Sequence, residues 1–478
     1  MKKATIILLA VLVGTCSRSP GTLEEILESG ELRIITRYDP TTYFSGADGH
    51  EGPEYLLVEG FTKFLSEKYS REVTAEYITK DRFNEILPAL DSGEAHIAAA
   101  GLTITDDRKE LVAFGPSYQD VKQYLVYKLN TGKPNEIEDL RGKRLEIMAG
   151  SSYAKTLAEL QEQHPDFAWS ENPSAEITDL LDAVQHKRID YTVADSTAYY
   201  VHRYYMPELR PAIILKEGDK LAWAFEKYSS EDIREEAEEY FAAIKESGEL
   251  ERIIERYYGH TDRFDYVGTR RFINDFKQGF EQYKSKFIMA GDSSGIDWRI
   301  LAAIGYQESH WNPDAVSPTG VRGLMMLTRT TASVMGVANR EDAAESIPAG
   351  AEYFAQLKSR LSLIPEPDRT WFALAAYNVG FSHLQDARLI TRRLDKNPDS
   401  WLDVKEALPL LAKRQWYSEV PNGYARGWEP VRYVNNVRTY YEILNFLTFD
   451  EEELAEPLEQ PETAPLQTAL EEPEQIPI

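Results

Sequence analysis

The segment Tyr306–Leu327, YQESHWNPDAVSPTGVRGLMML, carries the reading of this chain. It sets one glutamate, Glu308, at the end of an apolar run, follows it with turn residues, and opens a new apolar element at Gly323. Upstream, Ser294 stands three residues before Asp297, the spacing of a capping box, and Ile300, Leu301 and Ile304 recur at helical intervals. The spacing predicts a helix that carries Glu308 one turn beyond Ile304 on the same apolar face. A carboxylate held there loses hydration, so its pKa rises toward neutrality, as a general acid requires.

A lone glutamate near a helix end is more often solvated or a cap, so its neighbours decide the matter. Asn312-Pro313 ends the helix, Ser317 to Gly320 is turn chemistry, and Gly323-Leu324-Met325-Met326 starts the next element. Together these residues resemble the catalytic motif of the Slt-type lytic transglycosylases, a lysozyme-like family that cleaves bacterial peptidoglycan. The family pattern is Glu-Ser, Asn-Pro-x-Ala, then Ser-x-x-Gly-x-x-Gly-Leu-Met-Gln. It is met here by Glu308-Ser309, Asn312-Pro313-Asp314-Ala315, Ser317, Gly320 and Gly323-Leu324-Met325. Met326 stands where the family has Gln, which faces the sugar; methionine at this place is similar to the membrane-bound F branch. Ala375 to Gly380 (AAYNVG) and Tyr433 to Val437 (YVNNV) resemble two further family elements, in the family's order.

The motif supplies one carboxylate, whereas common retaining and inverting glycosidases use two. Asp314, the nearest alternative, sits after a proline in a loop, where Asp usually makes turns. The resemblance implies that Glu308 protonates the oxygen between N-acetylmuramic acid and N-acetylglucosamine while the 2-acetamido group assists. Glu308 then takes the proton of the muramyl C6 hydroxyl, closing a 1,6-anhydro ring without water. The same resemblance implies substrate contacts from Ser317, Met325, Met326, Tyr377, Asn378 and Tyr433. Their bland readings are a turn serine and core side chains. Two other readings stay open: a goose-type lysozyme-like hydrolase, and a sensor whose second domain only anchors it to the wall.

The first half has another texture. Glu31 to Arg37 is strand-like, Phe61 to Tyr69 helix-like, and the alternation continues, which implies α/β architecture. Gly101 to Tyr118 (GLTITDDRKELVAFGPSY) resembles the signature of amino-acid-type periplasmic solute-binding domains. Val121 to Lys128 then reads as a crossover strand into a second lobe, Asp179 to Asp195 as helix then strand, and Gly248 to Gly259 as a returning helix. The resemblance implies a ligand site in which Arg108 clamps an α-carboxylate, Thr103 and Ser152 add hydrogen bonds, and Asp195 holds an ammonium. The implied ligand is an amino acid or cell-wall muropeptide.

At 478 residues, two or three domains are expected. The net charge of −26 argues against nucleic-acid binding. Lys2-Lys3 followed by the short apolar run Ala4 to Val13 reads as an export signal. Cys16, the only cysteine, follows Val13-Gly14-Thr15 as in a bacterial lipobox, so a lipid anchor at Cys16 and membrane association on the inner face of the outer membrane are expected. From Asp450 to Ile478 ten Asp/Glu and five prolines occur without Lys or Arg, the composition of a disordered tail. The eight histidines are scattered and His-Glu-x-x-His is absent, so no metal or cofactor is expected.

The expected architecture is therefore multi-domain. An export segment (1–20) precedes an α/β two-lobed periplasmic solute-binding domain (21–265, second lobe about 126–222). A mainly α lysozyme-like transglycosylase domain (266–449) and an acidic tail (450–478) follow.

Overall fold

The computed structural model describes residues 21–46, 49–258, 266–317 and 320–448. The export segment with Cys16, and the acidic tail, lie outside them. Among the described residues no helix is long and apolar enough to cross a membrane.

The first half is built on two sheets. In the first, the strand order is Thr74–Lys80, Glu31–Arg37, Ile97–Ala98, Ala224–Glu226, Val112–Phe114. Glu31–Arg37 pairs parallel with both neighbours, and Ala224–Glu226 runs antiparallel to its own. Leu32 and Ile34 point one way, into a core with Leu57, Phe61, Trp223 and Phe241, while Ile35 points to the other face. Period-2 alternation of apolar residues on both faces is what a sheet covered on both sides requires. The chain leaves this sheet along Gln119–Lys128, which pairs antiparallel with Tyr191–Asp195 and Leu209–Leu221 in a second, three-stranded sheet. It returns directly from Leu209–Leu221 to Ala224–Glu226. Two crossings joining two α/β lobes leave a cleft at the carboxyl ends of the strands, where ligands of open α/β sheets bind.

Helix Pro53–Tyr69 starts eight residues earlier than the sequence pattern indicated, because Pro53 sits at the first helical position and Glu54 in the first turn. Glu54 is buried and accepts hydrogen bonds from Trp223 Nε1 (2.8 Å), Gly101 N (2.9 Å) and the Tyr118 hydroxyl. It is thus a satisfied core acid that ties this helix to the sheet.

The second half is helical around one core. Helix Trp298–Ser309, here the acid helix, buries Leu301, Ala302, Ala303, Ile304 and Tyr306. Helix Trp428–Leu447, the closing helix, lies along it, with helices Glu281–Ser294, Ala343–Ser359 and Asp368–Val379 completing the bundle. Ser294 does not form the expected capping box: it is the last residue of its own helix, and its hydroxyl donates to Ala290 O. Asp297 caps the acid helix instead, accepting from Arg299 N at 2.9 Å and, through its other oxygen, from Tyr441 of the closing helix at 2.9 Å.

The halves meet through helix Glu249–Tyr258. Arg438 of the closing helix, 1% exposed, donates to Glu255 Oε1 at 2.9 Å and to the carbonyls of Glu255 and Arg256 at 2.8 Å. Those carbonyls belong to the last turn of their helix, whose orphan acceptors and negative dipole end favour a cation. Lys405 adds a second contact to Glu255 at 3.1 Å, and Tyr205 stacks on Phe446 with ring centroids 3.8 Å apart.

Candidate active site

Glu308 sits in the last turn of the acid helix, beside the closing helix. The two helices run antiparallel, as their pairs show: Glu308 with Tyr433, Gln307 with Asn436 (3.0 Å), Arg299 with Thr448 (2.8 Å). The Tyr433 hydroxyl donates to Glu308 Oε1 at 2.8 Å. Glu308 is half-buried by surface area, yet its carboxyl is enclosed densely enough that burial pushes its pKa up to about 7, against the opposing Tyr433 hydrogen bond. No charged neighbour enters that shift. The group is therefore poised to give and take a proton near neutral pH.

The turn after Glu308 is tightly determined. His310 and Trp311 adopt positive φ, 54° and 56°, uncommon for bulky residues. Trp311 is held there by its indole N–H to Ala302 O (2.8 Å) and by packing on Phe280 and Tyr306. Ser309 is buried and its hydroxyl bridges Gly305 O and Leu324 O, which fastens the acid helix to the Gly-Leu-Met-Met loop. Gly323 (φ 91°) lies so close to Arg340 that a Cβ would stand 1.8 Å from its carbonyl oxygen.

The sequence-derived contacts divide on inspection. Tyr377 donates its hydroxyl to Met325 O at 2.9 Å and lies 5.4 Å from the ring of Tyr353, a cleft neighbour that its position in an apolar helix concealed. Burial, then the Glu308 carboxylate, holds the hydroxyls of Tyr377 and Tyr433 well above the usual range. Asn378 is exposed at the end of its helix, and Met326, half-buried at φ 47°, closes the turn begun at Gly323. Ser317 Oγ accepts from Val321 N at 3.0 Å within its loop. The Met325 side chain is wholly buried against Gly350, and its carbonyl accepts from the Tyr377 hydroxyl. Asp314 is exposed, and its amide closes an Asx turn on Asn312 (3.0 Å).

In the first half, the cleft between the lobes is crossed by cations. Arg108 is buried and donates to Thr103 O at 2.8 Å and, across the cleft, to Gly150 O at 2.9 Å, so here it bonds backbone carbonyls rather than standing open. Ser152 is reached by Gln123 Nε2 at 3.5 Å. Asp195 caps helix Ser196–His202 through Ala198 N (2.8 Å) and accepts from the Tyr153 hydroxyl (3.3 Å). Arg37, which sequence reasoning passed over, terminates strand Glu31–Arg37 and bonds Glu176 of the second lobe at 3.0 Å. Arg37 and Arg108 each lie 5.4 Å from the ring centre of Phe83. Among the described residues no group of His, Cys, Asp and Glu is arranged to hold a metal ion.

Comparison with known proteins agrees with this division. Residues 285–400 match the transglycosylase SLT domain, and residues 32–260 match the bacterial extracellular solute-binding proteins, family 3. The chain is 44% identical over 429 residues to the membrane-bound lytic murein transglycosylase F of Saccharophagus degradans, covering 90% of this chain and 84% of that one. It is 45% identical over 428 residues to membrane-bound lytic murein transglycosylase F 1 of Alkalilimnicola ehrlichii, covering 89% and 85%. Among solved structures it is similar to an ancestral arginine-binding protein bound to arginine (24% identity, 48% of this chain and 98% of that one, TM-score 0.43). A second is the cysteine-binding protein of Campylobacter jejuni (18%, 52% and 98%, TM-score 0.44).

Proposed function

From the premise that this chain belongs to the membrane-bound lytic murein transglycosylase F family, we propose that it cleaves the bond between N-acetylmuramic acid and N-acetylglucosamine with one acid/base, Glu308, and leaves 1,6-anhydro ends. The carrying observation is Glu308 itself: a desolvated carboxyl with a pKa pushed up to about 7 and a single hydroxyl partner, Tyr433.

In the ground state the protonated carboxyl donates to the glycosidic oxygen, and the departing sugar leaves an oxocarbenium-like centre that the substrate's 2-acetamido group stabilises. The carboxylate so formed is stabilised by Tyr433 and accepts the C6 hydroxyl proton as that oxygen closes on C1, which restores the acid. Proton shuttling of this kind contributes about 10²–10⁴-fold; orientation of the strand by Tyr377, Asn378, Met326 and Ser317 accounts for more. Mass spectrometry of digested sacculi tests the reading. Anhydro-muramyl ends support it, whereas reducing ends carrying the mass of one water favour the goose-type hydrolase.

The reading extends to regulation. The first domain takes an amino acid or muropeptide through Thr103, Arg108, Ser152 and Asp195, and lobe movement reaches Glu308 through the closing helix, which carries both Arg438 and Tyr433. A coupling of this kind is typically worth 1–3 kcal/mol. Turnover measured with and without saturating amino acids or muropeptides decides it; identical rates sink the coupling, while wall binding without any turnover favours the wall-anchored sensor. The protein acts in the periplasm at the outer membrane, tethered through Cys16, and labelling with a radioactive fatty acid checks the tether.

A further inference from the structure

We propose that the segment leading into the closing helix is a glycan-holding rim, in which Tyr424 and Trp428 stack on sugar rings of the strand and Arg426 and Arg432 meet its carboxylates. The proposal rests on the reading of Glu308 given above and extends that site along the polymer.

Tyr424 and Trp428 are 53% and 50% exposed, unusual for large aromatics. Their backbone is nevertheless fixed. Buried Asp386 accepts from Asn422 N (3.1 Å) and Nδ2 (3.0 Å), and Ala425 N donates to Leu411 O (3.1 Å). Gly427 presses on Leu408, where a Cβ would stand 1.7 Å from the carbonyl oxygen. Tyr417 supports Tyr424 edge-on, with centroids 5.7 Å apart. A rigid loop thus presents apolar ring faces to solvent, the arrangement that binds the flat apolar faces of sugars at low entropic cost.

The place fits the substrate. Because the closing helix runs antiparallel to the acid helix, its first turn overshoots the end that bears Glu308. Trp428 lies five residues before Tyr433, a rise of about 7.5 Å, so it stands at the end of the closing helix that adjoins the Glu308 end of the acid helix. The charge fits as well. In a chain of net charge −26, residues 413–432 hold Lys413, Arg414, Arg426 and Arg432 against Glu419 and Glu429; Arg426 pairs with Glu429 at 2.8 Å, and Arg432 is exposed. Peptidoglycan carries free carboxylates on its peptide stems, so a locally cationic aromatic rim complements it.

Co-sedimentation of the full-length Glu308→Gln protein with purified sacculi measures binding without cleavage. Adding Tyr424→Ala and Trp428→Ala raises the apparent dissociation constant about fivefold for each ring lost, and Trp428→Phe recovers most of the Trp428 share. Adding Arg426→Gln and Arg432→Gln weakens binding at low salt and has little effect at high salt. Unaltered binding by the doubly alanine-substituted protein, with unaltered thermal unfolding, overturns the rim. Should that protein unfold early, the two arginine substitutions decide: unchanged low-salt binding overturns it equally. Failure of the Glu308→Gln parent to bind sacculi at all overturns the rim, whereas the reading of Glu308 falls only if that parent still cleaves them.

Discussion

The Tyr433 hydroxyl lies 2.8 Å from Glu308 Oε1, and it joins the chain's candidate acid to the same helix whose Arg438 grips the first domain. The bond favours the carboxylate, while burial favours the neutral acid and wins.

Tyr433→Phe removes the opposing hydrogen bond, so the Glu308 pKa moves further up. We expect the descending limb of the pH–kcat profile to shift to higher pH and kcat to fall about tenfold, since a hydrogen bond to a charged group is worth roughly 1.5–3 kcal/mol. A profile that keeps its position refutes the coupling between the two groups.

Glu308→Gln keeps the shape of the side chain and removes its proton chemistry. Turnover of sacculi should drop by about 10²–10⁴-fold or more. Residual activity within tenfold of the parent means that another residue is the acid.

Stability should decline as pH rises. Burial pushes Glu308 and Glu442 up to about 7 and Asp368 up to about 6, all above the ordinary carboxylate range. A raised carboxyl pKa means that the folded state binds protons the unfolded chain has released, so this stabilisation is complete below about pH 4 and lost through pH 6–7. Thermal melts from pH 5 to 8 should show a falling midpoint, and Glu442→Gln should flatten the fall. Glu442 is the informative variant because, after burial, the first domain's Glu51 contributes most to its shift, ahead of the opposing Arg438 and Arg256.

Arg438→Met leaves Glu255 with Lys405 alone and strips two helix-end carbonyls of their donor. Breaking a buried pair costs about 3–5 kcal/mol. Denaturant unfolding should separate into two transitions, one per half, where the parent shows stronger coupling. A single unshifted transition shows that the interface is held by Tyr205 and Phe446 instead.

Gly323→Ala places a methyl group against the Arg340 carbonyl at a positive φ. The Gly-Leu-Met-Met loop must shift, and Tyr377 loses its bond to Met325 O. A fall in kcat together with a destabilisation of about 1–3 kcal/mol is expected. Parent-like crystals and kinetics reject the claim that this glycine is required.

Much of this was written in local patterns. The acid helix, the strand Glu31–Arg37, the crossover strand and the helix ending near Gly259 all follow from apolar spacing, and Glu308 from its place at the end of one such run. Ser294 misled because two polar residues compete for a cap that only helix geometry assigns.

By itself the sequence determined the two-part plan, the order of the motifs and the identity of the one candidate acid, because these depend on periodicity and residue chemistry over a few turns. Only the tertiary structure decided how far burial raises the Glu308 pKa, the hydrogen bond from Tyr433 to it, the bonds of Arg108 and Arg37 across the cleft, and the grip of Arg438 on Glu255. Each of these joins residues between 42 and 183 positions apart or depends on how completely water is excluded. Desolvation and long-range hydrogen bonds belong to the packed assembly and have no local signature.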